Sequence, residues 1–305
     1  LSLALAAIML VGMMVVSASA ASYNNLTDKD EIVNKDAVSM LVSLGIIEGK
    51  PDGSYGPTEN VDRAQMAKML SVIMNKGVDN SALYQSVNSG LVDVNTNWAK
   101  GHINYCYTTG IIAGRGNGKF DPSATVTALE AAKMLLVAVG YDPKIEGFEG
   151  ADWAINVSVR ADEQGIFEGF TKDLSAPLNR DDAALLIYNA LDVEMIQSYT
   201  TNNYPIAYSD HRTILADKYG VIKVQGVVVA NEWASLASDD GDAALKEGKT
   251  TIYNGEGIFS TTGNTTVSKE DASLKTQTFN VSTPVDMLGK TVNLYKIGRA
   301  SCRER

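Results

Sequence analysis

Apolar residues recur along the first two thirds of the chain with the spacing of amphipathic helices. One apolar stripe, at positions i, i+3, i+4 and i+7, consists of Ala37, Met40, Leu41 and Leu44. Gly45 follows directly, at the position where helices commonly end in a left-handed backbone conformation. The pattern predicts an amphipathic helix that ends just before this glycine.

The outline of helix, glycine turn, loop and second helix then repeats. GIIEGKPDGSYGPTENVDRAQMAKML begins at Gly45, GIIAGRGNGKFDPSATVTALEAAKML at Gly110, and the shorter GIFEGFTKDLSAPLNRDDAALLI at Gly165. One helix pair of this size cannot bury its apolar faces alone, so we expect the pairs to share a core. The repeat predicts three units, over residues 28–80, 88–142 and 146–192.

Each second helix opens with a start signal. The first position of this signal holds a good N-cap residue, namely Asp62, Thr127 or Asn179. Three positions later, Gln65 and Glu130 complete capping boxes, whereas Asp182 has a shorter side chain and makes a poorer one. The signals predict helices that begin at residues 63, 128 and 180.

From about Val193 the pattern changes to β-branched runs. YGVIKVQGVVVANEWASL and TVNLY are typical of strands, and polar sequence rich in Ser, Thr, Gly and Asn separates them. The sequence therefore predicts a chain that is mainly α, followed by an incomplete β-rich domain over residues 200–296.

Both ends of the chain have the features of segments outside the fold. Residues 1–20 consist of an apolar run followed by Ala18-Ser19-Ala20, as in a secretory signal whose basic n-region is missing. A membrane anchor is the less favoured alternative, because the run is short for a bilayer span. Residues 297–305 resemble a translated sequencing adapter, and we expect further sequence beyond Tyr295 in the natural protein.

The charge balance narrows the classes of ligand. The formal net charge is −10 at pH 7, which argues against general nucleic-acid binding. An anionic ligand must therefore be held by local donors against the overall field. Cys106 is the one cysteine before the final segment, so we expect it to be a small core residue.

Motifs for catalysis or metal binding are weak. The histidines, His102 and His211, are far apart and match no metal or triad spacing. DKDEIVNKD has Val33 where a calcium loop needs glycine, and GRGNGKF lacks the spacing of a phosphate loop. The sequence predicts no catalytic residue, no metal site and no cofactor.

The repeated pattern resembles the S-layer homology domain, present in three units. The resemblance covers residues 28–192 and rests on LVDVNTNWAKGHINYCYTTGIIAG and on the helix start that the family writes as Ile-Thr-Arg-Ala-Glu. That start occurs here as VDRAQ, VTALE and LNRDD. The resemblance implies a three-pronged helical bundle that binds secondary polymers of the Gram-positive wall, often polymers that bear ketal-linked pyruvate.

The resemblance also implies glycan-binding residues in grooves between adjacent prongs. The positions that match the family's contacts are Arg63, Arg180, Asp93, Trp98, Trp153, Gly45 and Gly110. A pyruvyl carboxylate suits an arginine fork beside the free N–H groups of a helix start, and a sugar ring can lie on an indole face.

Two departures from the family pattern reduce the number of grooves. Ala128 stands in the place of the second arginine, and Val33 in the place of the first tryptophan, so we expect one or two working grooves. Structural alternatives stay open: the arginines could be solvated, the tryptophans could be core anchors, and Asp93 could cap the helix that follows it.

The sequence thus predicts a secreted, surface-layer-type protein without a membrane span in the mature chain. Its expected partner is a secondary cell-wall polysaccharide or peptidoglycan-linked glycan, with lateral self-assembly as a further interaction. The chain itself is not expected to be an enzyme. The alternative is the same wall anchor carrying an extracellular glycan hydrolase or amidase, encoded beyond Tyr295.

Overall fold

The chain folds into two compact units. The structure, a computed structural model, describes residues 6–9, 23–236, 244–254 and 275–297. We name Val16–Tyr208 the helical unit, and Leu1–Val15 with Ser209–Arg305 the sheet unit. First, second and third unit continue to mean the repeat units. The predicted leader, apart from residues 6–9, and residues 298–305 lie outside the described residues.

The described residues form both helices and strands. The helices are α1 (Lys35–Ser43), α2 (Arg63–Met74), α3 (Lys100–Thr108), α4 (Ala128–Val139), α5 (Trp153–Glu163), α6 (Arg180–Ala190) and α7 (Ile214–Tyr219). The strands are β1 (Ala6–Met9), β2 (Ile196–Tyr199), β3 (Pro205–Ala207), β4 (Val221–Asn231), β5 (Thr250–Tyr253), β6 (Thr276–Phe279) and β7 (Thr291–Ile297). No helix among them is long and apolar enough to cross a membrane.

The predicted boundaries of the helices in the helical unit are confirmed. Asp62 and Thr127 form complete capping boxes with the residues three positions later. Asn179 accepts a hydrogen bond from the backbone N–H of Asp182, without a reciprocal side-chain bond. The glycines that end α1, α3 and α5, at positions 45, 110 and 165, have φ angles of 70°, 80° and 70°.

The helices pair between neighbouring units of the repeat. The second helix of each unit packs on the first helix of the next, so α2 contacts α3 and α4 contacts α5. The series closes on itself because α6 packs on α1. Each prong is therefore built from two units, which the periodicity of a single helix does not reveal.

A ring of three backbone hydrogen bonds lies where the three second helices begin. Val61 N–H donates to the Leu178 carbonyl at 2.8 Å, Leu178 N–H to Val126 at 2.8 Å, and Val126 N–H to Val61 at 2.9 Å. All three side chains are buried. These residues precede the N-caps, so the ring fixes the three helix starts relative to one another.

The sheet unit, Leu1–Val15 with Ser209–Arg305, contains a five-stranded sheet with the order β1-β7-β4-β5-β6. The β1–β7 pair is parallel, and the other pairs are antiparallel. Its core consists of Val224, Val228, Ile252, Phe279, Val292 and Leu294. The strands predicted from the two β-branched runs are thus confirmed as β4 and β7.

Four local features differ from the sequence prediction. Residues 6–9, which belong to the predicted leader, pair with β7 as strand β1 instead of lying outside the fold. The hairpin of β2 and β3 belongs to the helical unit, although strand-like sequence from residue 200 was expected in the β-rich domain. Helix α7 interrupts that domain; Thr213 caps it and Gly220 ends it with φ 63°. Ile297 pairs with Val221 at the end of β7, so the ordered strand includes the first residue of the predicted artefact.

Candidate functional site

A cavity of about 210 Å³ opens on the helical unit, and we name it groove 1. It is lined by Ile46, Ile47, Glu48, Gly49, Lys50, Tyr55, Val61, Gln65, Lys68, Met69, Trp98 and Arg180. Trp98 comes from the second unit, Arg180 from the third, and the other residues from the first. The structure therefore brings together two predicted site residues that are 82 positions apart in the sequence.

Arg180 is held in groove 1 by the loop of the first unit. Its Nε donates to the Tyr55 carbonyl at 2.8 Å, and its Nη2 donates to the Glu48 carbonyl at 3.3 Å. The guanidinium lies 4.7 Å from the centroid of the Tyr55 ring. Because Arg180 is half-exposed, part of its guanidinium surface is accessible at the cavity.

The equivalent place at the loop of the second repeat unit is named groove 2, and Arg63 occupies it. Its Nε donates to the Phe120 carbonyl and its Nη2 to the Ala113 carbonyl, both at 2.8 Å. Only 4% of Arg63 is exposed, and its guanidinium lies 4.3 Å from the Phe120 ring centroid. Burial lowers the pKa of Arg63 to about 10, so the side chain is still charged at neutral pH.

The helix-start N–H groups beside these arginines are already bonded. Arg63 N–H donates to the Ala124 carbonyl at 3.0 Å, and Arg180 N–H donates to Glu59 at 2.8 Å. The expectation of free N–H groups at these two positions was therefore wrong, because loops of neighbouring units occupy them. Any anion at these two positions would have to be held by side chains.

Asp93 anchors the loop of groove 2. Its carboxylate accepts from the backbone N–H of Phe120 at 2.9 Å and of Asp121 at 2.8 Å. Burial acts to raise the pKa of Asp93, but these hydrogen bonds hold it below its usual value. Asp28 makes the same pair of bonds in the first unit, to Tyr55 and Gly56, both at 2.7 Å.

The two tryptophans stand at equivalent places. Trp98 is 58% exposed at groove 1, and its ring centroid lies 6.3 Å from that of His102. Trp153 is half-buried at groove 2, with Lys133 Nζ 5.8 Å from its ring centroid. Trp98 therefore presents more indole surface than a core anchor would.

Gly45 and Gly110 shape the turns beside the two grooves. Neither lines the cavity of groove 1, although Ile46, directly after Gly45, does. An added Cβ at Gly45 would lie 3.3 Å from the Gly77 carbonyl oxygen, whereas at Gly110 it would meet no atom within 4 Å. The positive φ angle is thus the requirement shared by both positions.

Both departures from the repeat fall at the third equivalent place, where the third unit contacts the start of α4 and the residues before α1. We name this place groove 3. Ala128 begins α4, where the next residue, Leu129, donates its N–H to Leu174 in the third loop at 3.1 Å. Val33 precedes Asn34, whose N–H bonds the Asp181 carboxylate of α6 at 3.1 Å. Grooves 1 and 2 therefore each keep an arginine and a tryptophan, and groove 3 has neither.

The sequence prediction missed the residues that cradle the arginines. Tyr55 and Phe120 hold the same position in their units, seven residues before the N-cap of the second helix, and each carries an arginine on its ring. The third unit has Lys172 in the corresponding place, and Lys172 pairs with Asp182 of its own unit. Comparing the three loops residue by residue would have found this link.

Ser71, His102 and Asp79 form a small polar cluster next to groove 1. Ser71 Oγ lies 2.6 Å from His102 Nδ1, and His102 Nε2 lies 3.6 Å from Asp79 Oδ2. Ser71 and His102 are both buried, so the hydroxyl has no access to a substrate. Within the described residues, no group of three or more His, Cys, Asp or Glu side chains could hold a metal ion.

Comparisons with known proteins give a match to one family model and to several surface proteins. The S-layer homology domain model matches residues 25–67 and 92–132. A cell surface protein of Thermoanaerobacter kivui is 28% identical over 234 residues, which cover 76% of this chain and 28% of that protein. An S-layer protein of Bacillus licheniformis is 34% identical over 113 residues, or 37% of this chain and 12% of that protein.

An enzyme carries a similar segment. The amylopullulanase of Thermoanaerobacterium thermosulfurigenes is 30% identical over 172 residues, which cover 52% of this chain and 9% of that protein. The chain thus spans less than a third of the length of each of these relatives. The third helix pair lies outside both ranges matched by the family model, and its membership stays a prediction supported by its equivalent hydrogen bonds.

Proposed function

We propose that the chain is a secreted S-layer homology domain protein of the surface-layer type, and that its helical unit anchors it non-covalently to the cell wall. The proposed ligand is a secondary cell-wall polysaccharide, and its proposed recognition element is ketal-linked pyruvate. Further regions could then project from the wall or associate laterally with other copies.

The observation that carries this proposal is the composition of groove 1. An exposed indole and a half-exposed guanidinium line one cavity, and each comes from a different unit. An indole face can support a sugar ring, while a guanidinium can donate two parallel hydrogen bonds to a carboxylate. This pair suits a saccharide that carries an acid group.

Groove 2 offers the same pair of residue types in a more buried form. Arg63 and Trp153 are its proposed contacts, with Asp93 and Gly110 shaping the loop and turn. In groove 1 the corresponding residues are Arg180, Trp98, Asp28 and Gly45. Two grooves on one chain would raise retention on a repeating polymer through avidity.

The test is co-sedimentation of the full chain with purified wall sacculi. Trp98→Ala should weaken binding by about fivefold or more, because stacking on an aromatic ring is worth roughly 1 kcal/mol or more. Trp233→Ala is the matched control, since Trp233 is 64% exposed and belongs to the other unit. Equal binding by wild type and both variants would contradict a role for groove 1.

A second candidate is the same anchor joined to an extracellular enzyme. The similarity to an amylopullulanase favours it, because that protein combines a similar segment with a much longer chain. The discriminating observation is any coding sequence that follows residue 297 in the genome. Further β modules would favour the surface-layer candidate, and paired carboxylates or a metal site would favour the enzyme.

A further inference from the structure

The first helices of the three repeat units differ on one outward face. Two positions define this face, ten and six residues before the turn glycine, and about one helical turn separates them. They hold Lys35 and Ser39 in α1, Lys100 and Asn104 in α3, and Ile155 and Val159 in α5. The last two, which we name the α5 stripe, are each more than half exposed. The face is therefore polar in two units and apolar in the third.

The equivalent face of α3 is covered by the chain itself. Asn104 is fully buried, and its Nδ2 donates to the Tyr84 carbonyl at 3.0 Å and to the Val87 carbonyl at 2.9 Å. An added Cβ at Gly101 would lie 2.1 Å from the Ser81 carbonyl oxygen, so the two backbones are in close contact. A short turn can thus dock on this face of a first helix.

The connection before α5 does not cover the α5 stripe. Residues 140–152 connect α4 to α5 and contact the adjacent face of α5, where Asn156 Nδ2 donates to the Gly147 carbonyl at 2.9 Å. Ile155 and Val159 therefore keep an apolar surface exposed to solvent.

Carboxylates stand at both ends of the α5 stripe. Asp152 precedes Ile155 by three positions and Asp162 follows Val159 by three, so all four residues run along one side of α5. Both aspartates are exposed. Two α5 stripes packed antiparallel across a two-fold axis would bring like charges together, which is unfavourable at an interface. The α5 stripe instead suits an apolar partner that carries a cation.

The turn after α2 has that combination, and we name residues 76–83 the α2–α3 turn. Val78 and Leu83 are each more than half exposed, and Lys76 is exposed as well. The turn is tied to the end of α2 by Asn80, whose Nδ2 donates to Asn75 Oδ1 at 3.2 Å. Its apolar side chains are therefore presented on a fixed loop.

Asp79 is the carboxylate of the α2–α3 turn, and it is engaged within its own copy. Its Oδ1 accepts from the Ser81 N–H at 2.9 Å, and its Oδ2 lies 3.6 Å from His102 Nε2. Lys76 therefore supplies the charge with which this turn can meet an acidic surface.

We propose that the α2–α3 turn of one copy of this chain docks on the α5 stripe of a second copy. Val78 and Leu83 supply the apolar contacts, and Lys76 pairs with a carboxylate at one end of the α5 stripe. A second copy is the favoured occupant because the same chain carries both complementary surfaces. The turn lies on the α2–α3 prong and the stripe on the α4–α5 prong, so the contact is heterologous and can add copies in a row. None of these residues lines groove 1, so the inference goes beyond the proposed wall contacts.

Sedimentation velocity of the full chain over a range of protein concentrations tests this contact. The weight-average mass of wild type should rise beyond that of a dimer, as addition in a row requires. Val159→Lys should weaken association about tenfold or more, because it removes an apolar contact and places a cation near Lys76. Val33→Lys is the matched control, since Val33 is 82% exposed and lies outside both surfaces, and it should associate as wild type does.

A mixing experiment identifies the two halves of the contact. Leu83→Lys blocks the turn and Val159→Lys blocks the stripe, so each variant alone should stay monomeric at concentrations where wild type associates. An equimolar mixture retains one intact turn and one intact stripe, and it should form dimers without longer species. Circular dichroism of both variants should match wild type, because both positions are exposed.

Three results would overturn the inference: a monomeric wild type at every concentration, equal weakening by Val33→Lys and Val159→Lys, or a mixture without dimers. Association that persists in Leu83→Lys and is lost in Val159→Lys would show that the α5 stripe meets a different surface. That result would overturn the α2–α3 turn as its occupant.

Discussion

Two arginines that look equivalent in the sequence have different surroundings. Arg63 is almost fully buried between two carbonyls and a phenyl ring, whereas Arg180 is half-exposed at a cavity. The sequence could not distinguish them, because burial depends on loops that are 50 or more positions away. A double replacement of both arginines would therefore mix loss of stability with loss of binding.

We predict that Arg63→Ala lowers the free energy of unfolding by about 2–4 kcal/mol, because it removes two hydrogen bonds from a buried charged group. Arg180→Ala should cost roughly 1 kcal/mol, since water can reach the groups it leaves. Urea unfolding followed by circular dichroism measures both. Similar losses for the two variants would contradict the distinction drawn between the grooves.

The burial of His102 leads us to predict that the free energy of unfolding depends on pH. Burial lowers its pKa, and the nearby Lys68 acts in the same direction, while Asp79 opposes them. The unfolded chain then binds more protons than the folded one below about pH 6.5, so the free energy of unfolding should fall as the pH drops from about 7 to 5.5.

Urea titrations of wild type and His102→Gln at these pH values test this dependence. The expected result is a smaller pH slope for the variant, whatever its absolute stability. The carboxylates of Asp28 and Asp93, whose pKa values are lowered, titrate at lower pH and do not enter this window. Identical slopes would show that His102 is not the titrating group.

At the scale of elements, local signals predicted the helices well. The caps and the turn glycines act within a few residues, so the sequence states them directly. Helix α7 had the same signals, with Thr213 before it and Gly220 after it, and was missed because the surrounding runs are strand-like. The pairing of helices between units was not predictable from periodicity. The apolar stripe of each second helix could equally have packed on the first helix of the same unit.

The turn glycines allow a matched comparison. Gly110→Ala should cost about 1 kcal/mol, because an L-residue must adopt φ 80° there. Gly45→Ala should cost more, because its new Cβ would also crowd the Gly77 carbonyl at 3.3 Å. Thermal unfolding of the two variants measures the difference, and a smaller cost at Gly45 would contradict the close approach.

At the scale of the whole molecule, the helical unit has three equivalent places, and two retain the complete residue set. The sequence showed both losses, at Val33 and Ala128, but placed them in different units. The cyclic pairing of helices brings them to the same groove, which is a property of the fold rather than of either residue. The candidate residues were thus predictable from the repeat, whereas their grouping into sites required the structure.

Wall anchoring through a secondary polymer is the central claim, and one binding measurement addresses it directly. The full chain is sedimented with sacculi before and after acid removal of the secondary polymers, and the bound fraction is measured over a range of protein concentrations. The account predicts saturable binding to intact sacculi that is lost on stripping. Undiminished binding to stripped sacculi would show that bare peptidoglycan is the ligand and would contradict it.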